Sequence, residues 1–138
     1  MTAHSSFGVA NDPSSTPVEI SELRVDVPAE RQYVRTVRLL TGDAAARAGF
    51  SFDEIEDLRL VVSELCYGIL APNARALSVR FGIAPGCVSA TGEVTVEGGG
   101  AVLMDATTSF VVDVVCDHCT LGADRDRLFF SFDKRSHR

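Results

Sequence analysis

The sequence predicts an α+β two-layer sandwich, a mostly antiparallel sheet with helices on one face. Three observations carry that prediction. Two consecutive segments repeat apolar residues at helical spacing, and two later ones alternate strictly between apolar and polar. The chain of 138 residues, 46% of them hydrophobic, suffices for one core and is too short for two ordinary domains. The expected organisation is a polar tail at 1–17, a single domain at 18–135 and a short tail at 136–138.

From Val18 to Val27 the pattern is that of a strand, with Leu23, Val25 and Val27 alternating against Glu22, Arg24 and Asp26. Val18 and Ile20 have the opposite parity, as at a bulge or a late start. Pro28 is expected to open a helix, because its missing N–H would be unpaired in a first turn anyway. Tyr33, Val37, Leu40, Ala44 and Ala48 then make one apolar face, and Gly49 ends it. The next helix begins with a capping box, Ser51 with Glu54, and with Phe50 and Ile55 placed as a hydrophobic staple. Its stripe is Ile55, Leu58, Val62, Leu65 and Ile69, and Pro72 stops it.

Two one-sided strands follow. Leu77, Val79, Phe81 and Ile83 oppose Ser78, Arg80 and Gly82; after Pro85-Gly86, Val88, Ala90, Gly92, Val94 and Val96 share a face. The glycines at 98–100 end this hairpin. "SFVVDVVCDHC" is compatible with either a strand or a helix, with Thr107 and Thr108 as cap candidates for the latter. Arg127 to Lys134 reads as a final strand, giving the order β-α-α-β-β-α-β.

The formal net charge of −6 argues against nucleic acid or a membrane surface as the main partner. No window approaches the ~20 apolar residues of a spanning helix, and the N-terminal stretch lacks a charged-then-apolar export pattern. A cytoplasmic domain with reduced Cys66, Cys87, Cys116 and Cys119 is the expectation.

Several features carry chemistry or recognition. Glu64 lies at the border of the apolar stripe in a row with Asp57, Val61 and Gly68, where an ordinary solvated acid also fits. Arg31, Arg35 and Arg38 fall at spacings of four and three, a positive strip in an acidic protein. Cys116 and Cys119, at C-x-x-C spacing with His118 between them, supply part of a zinc or thiol site. Buried cysteines acting as small apolar residues are the commoner explanation. No Ser-His-Asp or Cys-His constellation is legible.

The words "VRTVRLLTGDAAARAGFSFDEIEDLRLVVSELCYGIL", from Val34 to Leu70, together with the element order, carry a resemblance. The chain resembles the anti-sigma-factor serine kinases of the GHKL (histidine-kinase-like ATPase) superfamily, from about Leu23 to Lys134. That resemblance implies a Bergerat-type fold that binds ATP and Mg²⁺, sequesters a sigma factor and phosphorylates a serine of an anti-anti-sigma protein. It also implies a homodimer, with the polar sheet face or the first strand in contact.

Carried over by position, the resemblance implies a degraded site. Glu64 matches the glutamate that orients or deprotonates the attacking hydroxyl. The asparagine that holds Mg²⁺ falls on Gly68, which brings no side-chain oxygen to a cation that demands an octahedron of them. The adenine-reading Asp-x-Gly-x-Gly box falls on Glu97, Gly99 and Ala101, of which Gly99 alone matches. Between these glycines and the third helix stands Ala101 to Thr107, too short for an ATP lid and without glycine. Arg35 falls where the resemblance places a sigma-facing arginine, with Arg31 and Arg38 in support.

The expectation is therefore an anti-sigma-like binding protein that has largely lost kinase function, with no cofactor. The alternatives are an active ATP-dependent serine kinase using Glu64 as base, and a thiol or zinc sensor using Cys116 and Cys119.

Overall fold

A computed structural model describes residues 21–137. The elements are β1 (Ser21–Val27), a 3₁₀ turn (Arg31–Tyr33), α1 (Val34–Arg47), α2 (Phe52–Ile69), β2 (Ala74–Ala84) and β3 (Cys87–Val96). They continue with α3 (Ala106–Val115), β4 (His118–Asp124) and β5 (Arg127–Arg135). The strands form one five-stranded sheet in the order β1-β2-β3-β5-β4, and every neighbouring pair is antiparallel. The α+β sandwich is the architecture observed.

The core lies between one sheet face and the helices. In register, Leu23 faces Phe81, Phe81 faces Ala90, and Ala90 faces Phe132, so one row crosses four strands on the covered side. Against it pack Val34, Val37, Ala44 and Ala45 of α1 and Leu58, Val61, Val62, Leu65 and Ile69 of α2, all fully buried. Gly92 serves this face by being small, because a β-carbon there would collide with the Phe130 ring.

Helix α1 starts later than Pro28 led one to expect. The Pro28 carbonyl accepts from Glu30 N–H at 2.8 Å, and Glu30 is extended, so the chain turns before a 3₁₀ turn leads into Val34. Its end is a Schellman motif: Phe50 N–H donates to Ala45, Gly49 N–H donates to Ala46, and Gly49 has φ +85°. The capping box of α2 is complete, with Glu54 N–H donating to Ser51 Oγ and Ser51 N–H to Glu54 Oε1. Val18 and Ile20 lie outside the described residues.

The last third of the chain needs correcting. "SFVVDVVCDHC" divides between a helix and a strand. Asp105, not Thr107 or Thr108, caps α3 by accepting from Thr108 N–H at 2.7 Å. After Cys116 the chain forms β4, an edge strand absent from the expected order. Its sequence, HCTLGAD, conceals the alternation because Gly122 stands where the Phe129 ring leaves no room for a β-carbon. Beyond β5, Ser136 Oγ and His137 N–H both donate to the Glu54 carboxylate, at 2.9 and 2.8 Å.

Candidate functional site

Helix α2 presents Glu64 and Gly68 one turn apart. Glu64 is half-buried, and its carboxylate has no hydrogen-bond or ion-pair partner among the described residues. Gly68 is buried. Its carbonyl belongs to the last helical turn, and the N–H four residues on would come from Pro72, which has none. Leu103 supplies the missing donor: its N–H reaches the Gly68 carbonyl at 2.7 Å. The Leu103 carbonyl oxygen then lies 2.9 Å from the place of a β-carbon on residue 68, and Val102 Cγ1 lies 3.8 Å from it. Position 68 is therefore closed to any side chain unless the segment at 102–103 moves.

The glycine segment sits beside the end of α2. Gly98 and Gly99 have φ of +84° and +83°, and Gly99 N–H donates to the Val96 carbonyl at 2.8 Å. Glu97 is exposed and pairs with Arg75 at 2.9 Å, while its backbone carbonyl accepts from Asn73 Nδ2 at 3.0 Å. Ala101 is exposed. A Mg²⁺–nucleotide cradle needs an oxygen ligand near Gly68 and backbone N–H groups free to wrap phosphates. As arranged here, the Leu103 backbone fills the space beside Gly68 where such a ligand would stand.

The arginines divide. Arg31 belongs to the 3₁₀ turn, not to the helix, and its guanidinium stacks 4.2 Å above the Tyr67 ring of α2. Arg35 and Arg38 are on α1, exposed, with no partner among the described residues. Leu39 beside them is 62% exposed.

The C-x-x-C pair is not on a helix. Cys116 is the C-cap of α3 and buried; Cys119 is on β4 and half-buried. Burial pushes their thiols up to about 12 and about 11, away from the reactive thiolate. His118 lies between them in sequence but turns its Nδ1 to Asp133 Oδ1, 3.0 Å away, and this hydrogen bond raises its pKa. Among the described residues no group of three or more His, Cys, Asp or Glu side chains converges as a metal site. Nor is any helix long and apolar enough to cross a membrane.

Comparison with known proteins gives these positions a context. The chain is 40% identical over 74 residues to the serine-protein kinase RsbW of Bacillus velezensis, an alignment covering 50% of this chain and 45% of the relative. Over about half its length, this chain is similar to RsbW serine-protein kinases. The RsbW of Bacillus subtilis is 36% identical over 66 residues, covering 44% of this chain and 41% of that protein. For RsbW of Bacillus licheniformis the figures are 39% over 61 residues, 41% and 38%. The chain thus spans less than half the length of these RsbW relatives. No family model matches it. The likeness to RsbW agrees with the resemblance carried by Val34–Leu70 and with the α+β sandwich.

Leu103 and Tyr67 carry no motif in the sequence that marks them as part of this region. One signal did point to the former: Pro72, four residues after Gly68, leaves a carbonyl that some other donor must satisfy. Tyr67 has no comparable marker, because its partner Arg31 comes from a 3₁₀ turn whose sequence predicts helix.

Proposed function

We propose that this chain is a protein-binding regulator of the anti-sigma type, in which the space of a nucleotide site is used for packing. It acts by occluding a sigma factor, or by engaging an anti-anti-sigma protein, through the surface of α1. The observation that carries this reading is the Leu103 backbone seated against Gly68, 2.9 Å from the position of a β-carbon. Arg35 and Arg38, without a partner among the described residues, and exposed Leu39 beside them supply the charge and the apolar contact that interface cores favour. A homodimer formed through β1 or the outer sheet face completes the proposal, β1 being an edge strand of the sheet among the described residues.

The test is co-purification of the tagged full chain from its native cells, with identification of the bound protein and an assay with Mg-ATP. A sigma factor or its antagonist retained by the wild type and lost with Arg35→Glu is expected, with no change of melting temperature on adding Mg-ATP. A thermal shift with Mg-ATP and labelling of a partner serine overturns the binding-only reading.

That outcome belongs to the second reading, an ATP-dependent serine kinase. Two observations favour it: the relatives are serine-protein kinases, and the Glu64 carboxylate has no partner among the described residues. Under it, Glu64→Gln abolishes labelling and leaves partner binding intact.

A further inference from the structure

Helix α3 is far more apolar than its burial requires. Its sequence, ATTSFVVDVV, places apolar residues around most of the circumference, a pattern that normally belongs to a helix enclosed on all sides. Yet Val112 is its buried residue, while Phe110 and Val114 are 68% and 65% exposed. At a spacing of four, these two side chains lie on one face, one above the other. Leu103, just ahead of the helix, is 63% exposed as well. Large apolar side chains left in water on consecutive turns mark an interaction surface.

The surrounding charge decides what kind of surface covers it. From Gly98 to Asp124 the sequence holds Asp105, Asp113, Asp117 and Asp124 and neither Lys nor Arg. Asp113 is exposed between Phe110 and Val114, and Asp105 is exposed at the helix start. Lys134, which acts on the Cys116 thiol at the other end, is itself buried. An anionic lipid surface is repelled by such a field. A helix carrying Lys or Arg beside an apolar stripe matches both the shape and the sign.

We propose that the outer face of α3 docks a basic amphipathic helix of a partner protein, with Phe110 and Val114 as its apolar anchors and Asp113 as its charge contact. This surface is independent of the α1 arginines. Those present positive charge and α3 presents negative, so the two faces select different elements of a partner.

The experiment uses the full chain and three synthetic peptides: a Leu/Lys amphipathic helix, its Leu/Glu counterpart, and a Lys-rich peptide with no apolar stripe. Binding is measured by fluorescence titration and located by amide hydrogen exchange. The Leu/Lys peptide is expected to protect Ala106–Val115 and to bind at least about tenfold more weakly to the Phe110→Ser, Val114→Ser double variant, the scale of a lost anchor. Asp113→Lys is expected to weaken the Leu/Lys peptide and favour the Leu/Glu one, which keeps the test decisive if the double variant does not fold. Equal binding of the Lys-rich peptide, protection elsewhere, or insensitivity to these variants overturns the proposal. So does self-association of the free chain that Phe110→Ser abolishes, since the occupant is then a second copy.

Discussion

Leu103 donates its N–H to the Gly68 carbonyl at 2.7 Å, and its own carbonyl oxygen lies 2.9 Å from where a β-carbon on residue 68 would stand. The same backbone contact thus satisfies a helix terminus and forbids a side chain. In a helix interior, replacing glycine by alanine ordinarily stabilises by up to about 1 kcal/mol. Here Gly68→Ala is expected to destabilise instead, by about 1 to 3 kcal/mol, the scale of overpacking against a neighbour that must shift. Gly68→Asn is expected to cost at least as much and to bring no Mg-ATP response. Urea unfolding with and without Mg-ATP checks both, and a stabilised Gly68→Ala protein means that 102–103 does not rest on α2.

Glu54 joins the start of α2 to the end of the chain. Hydrogen bonds from the Ser51 N–H and then the His137 N–H hold its carboxyl down to about 2, from an ordinary 4.5. Because the folded value is the lower one, the stabilisation is complete above pH 4.5 and is lost as pH falls through about 2. Glu54→Gln is expected to flatten stability across that window, and Ser51→Ala to cost about 1 kcal/mol as a lost cap. Denaturant titrations at stepped pH on the three proteins measure it; an unchanged slope for Glu54→Gln rules the carboxylate out as the source.

Arg31 and Arg35 should separate in stability measurements. With its guanidinium 4.2 Å from the Tyr67 ring, Arg31→Ala is expected to lose roughly 0.5 to 1 kcal/mol. Arg35→Ala, at an exposed site with no partner among the described residues, should stay within about 0.5 kcal/mol of wild type. Thermal and urea unfolding of the two variants decide this. Equal losses mean that Arg35 holds the fold and that its proposed binding role has to be reconsidered.

The thiols should be inert in the native protein. Burial lifts Cys66 and Cys116 to about 12 and Cys119 to about 11, so little thiolate exists at neutral pH. Alkylation followed by mass spectrometry should show these three modified far more slowly in the native chain than in urea. Rapid native labelling of Cys116 and Cys119, or a disulfide between them under mild oxidant, revives the sensor alternative.

Much of the fold is legible in the sequence. The capping box at Ser51 and Glu54, the stripe from Ile55 to Ile69, and the paired alternations of β2 and β3 all appear where their spacing placed them. What failed were segments whose pattern is interrupted by a distant contact. Gly122 breaks the alternation of β4 because the Phe129 ring needs its space, and this edge strand is absent from the expected order. Pro28 has the chemistry of a helix start, but its carbonyl is taken by Glu30 N–H, and the helix waits until Val34.

The candidate site divides in the same way. The sequence by itself determined that Glu64 and Gly68 share a row of α2 and that position 68 carries no side-chain oxygen, because identity and helical spacing are local properties. Only the tertiary structure decided what stands beside that position. Whether the space beside a glycine is left open or filled depends on where the chain returns. Here it returns as Val102 and Leu103, drawn to a carbonyl that Pro72 cannot satisfy.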